Sequence, residues 1–183
     1  MGYRNANYSA FYVAEPFNPN FAYSAKDFCY YQTLKMWKEN DSSFPFVDAH
    51  DKTYSVRDGS DWEKTLKPRL HERLRQSANV VLFLSSNTKY SRALHEEIDY
   101  AINTLELPII VVYPDFVEDT QLFEEGYFSQ YVKSLWNKIP VFKKDRNKVP
   151  VLHVSMNKYS IAQALQSTNF RVANKTTPGD YKL

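Results

Sequence analysis

The chain has 183 residues, with 23 Lys and Arg against 21 Asp and Glu, for a formal net charge of +2. That length suits one domain, and so small a charge gives no electrostatic case for a nucleic-acid partner. With 43% hydrophobic and 24% charged residues a soluble domain with a real core is expected, and the single cysteine, Cys29, leaves no internal disulfide and no cysteine zinc cluster. No apolar run nears the roughly 20 residues that span a bilayer. The first residues lack the apolar stretch of a signal peptide. The expectation is a cytoplasmic protein with no membrane partner.

In chain order, residues 7–13 (NYSAFYV) read as a first strand and residues 15–23, with two prolines and two asparagines, as a loop. Ser24 or Asp27 is placed to cap a helix running to about Lys38, with Phe28, Tyr31, Leu34 and Trp37 along one face. Residues 40–43 turn, and residues 44–48 (FPFVD) read as a second strand. Residues 49–61 are polar, with Gly59 near the end, and read as a long loop. Leu66, Leu70 and Leu74 then predict a helix within residues 62–76, begun late near Thr65 or kinked at Pro68.

Residues 80–84 form an almost purely apolar strand, as expected when both faces are covered. Ser91 caps a helix to about Leu105, and residues 109–113 (IIVVY) are a fourth strand. Residues 115–150 are an irregular insertion with one helix near residues 130–137. Residues 151–154 are a fifth strand, followed by a helix near residues 159–165. Residues 1–172 thus read as one domain, with a polar tail over residues 173–183 that is expected to be disordered. Alternating strands and helices predict an α/β, flavodoxin-like three-layer sandwich around a five-stranded parallel sheet, ordered 2-1-3-4-5.

The missing motifs narrow the chemistry. With four glycines in all, the chain has no Gly-x-Gly-x-x-Gly after a strand and no P-loop, and its four histidines show no metal-ligand spacing. Ser85 and Ser86 form a polar turn after the third strand. In the helix that follows, the apolar stripe is Leu94, Ile98, Ala101, Ile102 and Leu105. Glu97 borders that stripe, and Glu96 points almost the opposite way, into solvent. Glu97 then reads as a partly desolvated acid near the strand ends, where open α/β sheets bind ligands. Alternatively both glutamates simply serve the helix N-terminus, and on this geometry alone that reading suffices. Residues 48–58 are a charged cluster after the second strand, suited to a lid, a contact surface or a plain solvated loop. Phe11, Tyr12 and Phe17 suit stacking on a flat ligand or simple core packing.

Four segments, in this order, resemble a TIR domain of the kind found in bacterial antiphage Thoeris ThsB proteins. They are residues 8–17, the polar loop 48–61, the strand ending in the serine turn (VLFLSSN), and Ala93-Leu-His-Glu-Glu97-Ile98. The last resembles the family's Trp-x-x-x-Glu segment, with Ala93 in place of the tryptophan. The resemblance covers roughly residues 6–114. It implies that Glu97 is the catalytic residue of NAD cleavage, with NAD as substrate and no other cofactor. It further implies that Phe11 and Tyr12 pack on nicotinamide or ribose, and that Asp48, His50 and the Ser85–Ser86 turn line the pocket. The products are nicotinamide with ADP-ribose or a cyclic ADP-ribose isomer, which would signal to a separate effector. Two other readings stand beside it. One is a non-enzymatic TIR scaffold that self-associates through the loop after the second strand. The other is a nucleoside deoxyribosyltransferase-like enzyme using the carboxylate as a covalent nucleophile.

Overall fold

A computed structural model describes residues 4–12, 26–50 and 61–183. The first strand is β1 (Ala6–Ala10), followed by helix α1 (Lys26–Asn40). Asp61 caps the next helical segment by accepting a hydrogen bond from the Lys64 amide at 2.8 Å. The segment winds as a wide π turn over Trp62–Leu66 and tightens into α2 (Lys67–Arg75). Pro68 lies in the first turn of α2, where its missing N–H costs nothing. It therefore marks a start rather than a kink.

The sheet continues with β2 (Ser77–Phe83), α3 (Arg92–Asn103) and β3 (Ile109–Tyr113). The insertion holds a short antiparallel hairpin, β4 (Phe123–Glu124) and β5 (Tyr127–Phe128). It also holds two helices, α4 (Gln130–Trp136) and α5 (Pro140–Asp145), where the sequence indicated one. The chain closes with β6 (Pro150–Ser155), α6 (Lys158–Gln166) and β7 (Gly179–Lys182).

The central sheet has five parallel strands in the order β1-β2-β3-β6-β7. This is an α/β, flavodoxin-like arrangement, with two differences from the sequence reading. The expected second strand is reduced to a single parallel bridge between Asn7 and Asp48. Its backbone is held by the Asn7 side chain, which accepts from the Val47 amide at 2.8 Å. Phe44 and Phe46 are buried, so packing rather than a ladder fixes the segment. Second, the polar tail supplies an ordered edge strand. Asp180 in β7 meets buried His153 at 3.0 Å and the Arg146 guanidinium at 3.3 Å.

Val80 through Leu84 are completely buried at the sheet centre. Full burial of each such side chain contributes about 1.5–3 kcal/mol. One face is covered by α2, α3 and the insertion, through Tyr8, Leu74, Leu82, Leu94, Ile98 and Phe142 among others. The other is covered by α1 and α6, through Leu34, Val81, Phe83, Ile161 and Leu165. The order of strand addition reverses at β1: one neighbour of β1 is the Asp48 segment, the other is β2. In open α/β sheets ligands bind beyond the strand C-termini at such a switch point.

Candidate active site

Glu97 reaches β1 because of how α3 starts. The Ser91 hydroxyl caps the helix by accepting from the Leu94 amide at 3.1 Å. Leu94 and Ile98 are then driven into the core, and Glu97 sits between their rows. The Tyr8 hydroxyl donates to Glu97 Oε1 at 2.8 Å, joining residues 89 apart in sequence. Glu97 remains partly exposed, yet burial raises its carboxyl from the ordinary 4.5 to about 8, against the pull of the Tyr8 hydroxyl and the Arg73 guanidinium. Burial and the neighbouring Glu97 charge push the Tyr8 phenol well above its usual range, so Tyr8 is the donor of this pair.

Beside them lies His50. Its Nε2 donates to the Ser9 carbonyl at 3.0 Å, which leaves Nδ1 facing an Arg73 nitrogen at 3.4 Å. Burial first, and the Arg73 charge second, hold the imidazole below its ordinary 6.5, so the neutral ring is favoured at pH 7. Asp48 accepts from the His50 amide at 2.9 Å and from the Tyr31 hydroxyl at 2.6 Å. Phe11 stacks on Tyr31 at 5.2 Å between ring centres, and the His50 ring lies 4.7 Å from that of Tyr8. Tyr12 packs on the opposite face from Phe11, with the cluster that contains Tyr8 and Leu94. Strand alternation accounts for the split.

The serine turn forms a separate group at the end of β2. The Ser85 hydroxyl is fully buried and donates to Asp27 at 2.6 Å, and the Thr88 hydroxyl donates to the same carboxylate at 2.7 Å. Burial raises the Asp27 carboxyl, while these two donors oppose the rise. Ser86 binds Asp115 through its amide at 2.7 Å and its hydroxyl at 3.1 Å. The hydrogen bonds of this turn therefore run to Asp27 and Asp115, while Glu97, Asp48, His50 and Phe11 gather around β1. Glu96 does not point into bulk water. It accepts from His71 at 2.7 Å and pairs with Lys67 at 3.4 Å, pinning α2 to α3.

Two members of the cluster were not singled out from the sequence. Tyr8 is one: alternation along β1 places it on the α3 face, but nothing local names its partner. Arg73 is the other, and its signal is weak. It lies three residues after Leu70, on the flank of the leucine stripe of α2, where a cation borders the core. Phe17, Gly59, the cap at Ser24, the loop 15–23 and most of the polar loop 49–61 lie outside the described residues.

Two shallow surface grooves lie elsewhere, one bordered by Glu124, Tyr127, Phe128 and Lys133, the other by Lys133, Trp136, Lys143 and Arg146. Neither contains a residue of the Glu97 cluster. Among the described residues no group of three or more His, Cys, Asp or Glu is placed to hold a metal ion, and no helix is long and apolar enough to cross a membrane. A buried carboxyl, a neutral imidazole, a guanidinium and several rings at a strand C-terminus can hold a sugar carrying a flat base and can stabilise positive charge at its anomeric carbon. Compared with known families, the sequence matches the family model described as Thoeris protein ThsB, TIR-like domain, over residues 11–119.

Proposed function

The chain belongs to the Thoeris ThsB family of TIR-like domains, with a TIR-type role in antiphage defence, and from that premise we propose that it cleaves NAD at the nicotinamide–ribose bond. The observation that carries this reading is the Glu97 carboxyl held by the Tyr8 hydroxyl at 2.8 Å, with the Tyr8 ring 4.7 Å from that of His50. In the bond-breaking step the electron pair of the C1′–N bond moves to the ring nitrogen, and nicotinamide leaves neutral. No acid has to protonate the leaving group. The ribose becomes oxocarbenium-like, and the negative charge of ionised Glu97 stabilises it.

Phe11 and Tyr12 pack against the pyridine ring or ribose. Asp48 and His50 border the pocket; the Ser85 and Ser86 amides are already taken by Thr88 and Asp115, so the turn is assigned no part in binding. Attack by water, which gives up a proton, yields ADP-ribose. Attack by a hydroxyl or ring nitrogen of the same molecule, which gives up its proton or charge in turn, yields a cyclic ADP-ribose species lighter than ADP-ribose by one water, suited to act on a separate effector. The scaffold and deoxyribosyltransferase-like readings are separated from this one by the products. Purified protein incubated with NAD is expected to release nicotinamide and a product with the mass of ADP-ribose or of cyclic ADP-ribose, one water lighter. Intact NAD after prolonged incubation, with or without extract of infected cells, contradicts the proposal.

A further inference from the structure

Resting on the assignment of Glu97 as the acting carboxylate, we propose that Tyr8 is its positioning residue: the phenol fixes Oε1 and presents Oε2 alone to a ribose hydroxyl. Tyr8 lies before the segment matched by the family model, and nothing in that match speaks for it. The geometry does. Tyr8 is 1% exposed, and its ring is wedged against His50 at 4.7 Å. Its hydroxyl therefore has a fixed position and a buried donor to satisfy, and it meets Glu97 Oε1 at 2.8 Å.

A glutamate on a helix has three rotatable side-chain bonds, so a carboxylate without a tether samples several positions. The phenol selects one. The Glu97 contact uses one oxygen only, and Oε2 makes no hydrogen bond among the described residues. Glu97 is also partly open to solvent. One oxygen held and one offered is the arrangement a group needs if it must grip a ribose hydroxyl without swinging away as charge develops. The donor also favours the ionised carboxylate, the form that stabilises a cationic sugar. Arg73 acts in the same sense from α2, as the only cation pulling on Glu97 among its perturbing neighbours.

Tyr8→Phe removes the hydroxyl and keeps the ring, and the full-length chain serves for the test. Carbon-13 NMR of carboxyl-labelled glutamate follows the Glu97 titration, assigned by its loss in Glu97→Gln. In Tyr8→Phe the midpoint is expected to rise by about one pH unit, the size of a charge-assisted hydrogen bond. Nicotinamide release is expected to fall about tenfold in kcat at neutral pH, with KM little changed and the deficit narrowing at high pH. An unmoved Glu97 midpoint, or an equal loss at every pH, overturns the proposal.

The wild type provides a check that does not need the variant to fold. The Tyr8 ring carbon bearing the hydroxyl should titrate with the Glu97 midpoint, and a flat trace overturns the tether. If no NAD is cleaved under any condition, cleavage is rejected, while the two titrations still decide whether Tyr8 holds Glu97.

Discussion

Glu97 is subject to two opposed demands. It must be desolvated enough for its charge to act strongly, and it must still ionise. Burial raises its carboxyl to about 8, and only Tyr8 and Arg73 pull it down. The free protein at neutral pH therefore holds Glu97 mostly protonated. On this account kcat/KM for NAD rises with pH through about 8. The bound pyridinium is a cation and favours the carboxylate, so kcat levels off at lower pH than kcat/KM. Initial rates across pH 5–9 check this, and a pH-independent kcat/KM contradicts it. At this scale the sequence was partly legible. The apolar stripe of α3 separated Glu97 from Glu96, because helical periodicity fixes a face. It did not identify Tyr8, since strand alternation gives a direction but no partner 89 residues away. The resemblance put the Ser85–Ser86 turn in the pocket lining, and nothing local in the sequence shows that the Ser85 hydroxyl bonds Asp27, 58 residues earlier.

Secondary structure shows the same division between local and distant causes. The runs Val80–Leu84 and Ile109–Tyr113 read directly as strands because both of their faces are covered. The FPFVD segment also read as a strand, but its two phenylalanines enter the core and only Asp48 bridges to β1. β7 was invisible for the converse reason. Gly-Asp-Tyr-Lys has little apolar content, and what orders it is Asp180, bonded to His153 and Arg146 across the sheet edge. Asp180→Ala strips partners from a buried imidazole and from a guanidinium packed on Trp136 at 4.1 Å. It is expected to lower stability by about 1.5–3 kcal/mol, read as a lower urea midpoint. A change below about 0.5 kcal/mol would show that β7 does not depend on this contact.

For the molecule as a whole, the buried titratable groups set a pH optimum of stability. His50 and His153 are both held below 6.5 by burial, while Glu97 is raised from 4.5 to about 8. Below 6.5 the unfolded chain binds two imidazole protons that burial opposes in the native protein, while Glu97 keeps its proton in the native state alone. Where both imidazoles are neutral in the native protein and charged in the unfolded chain, they outweigh the one carboxyl, and stability increases with pH. Between 6.5 and about 8 the native protein alone keeps a proton, and stability declines as pH rises. Each of these slopes is at most about 1.4 kcal/mol per pH unit. Thermal unfolding should therefore show a maximum near pH 6.5. Glu97→Gln should abolish the alkaline decline and leave the acid limb in place. A wild-type profile flat from pH 6.5 to 8 would contradict the burial assigned to Glu97.

The most direct measurement compares nicotinamide release from NAD by the wild-type protein and by Glu97→Gln, with circular dichroism to establish that both are folded. The account predicts release by the wild type and a loss of about 10²–10³-fold in kcat for the variant, the usual cost of deleting one preorganised electrostatic contact to a transition state. Turnover by a folded Glu97→Gln protein within twofold of wild type would contradict it.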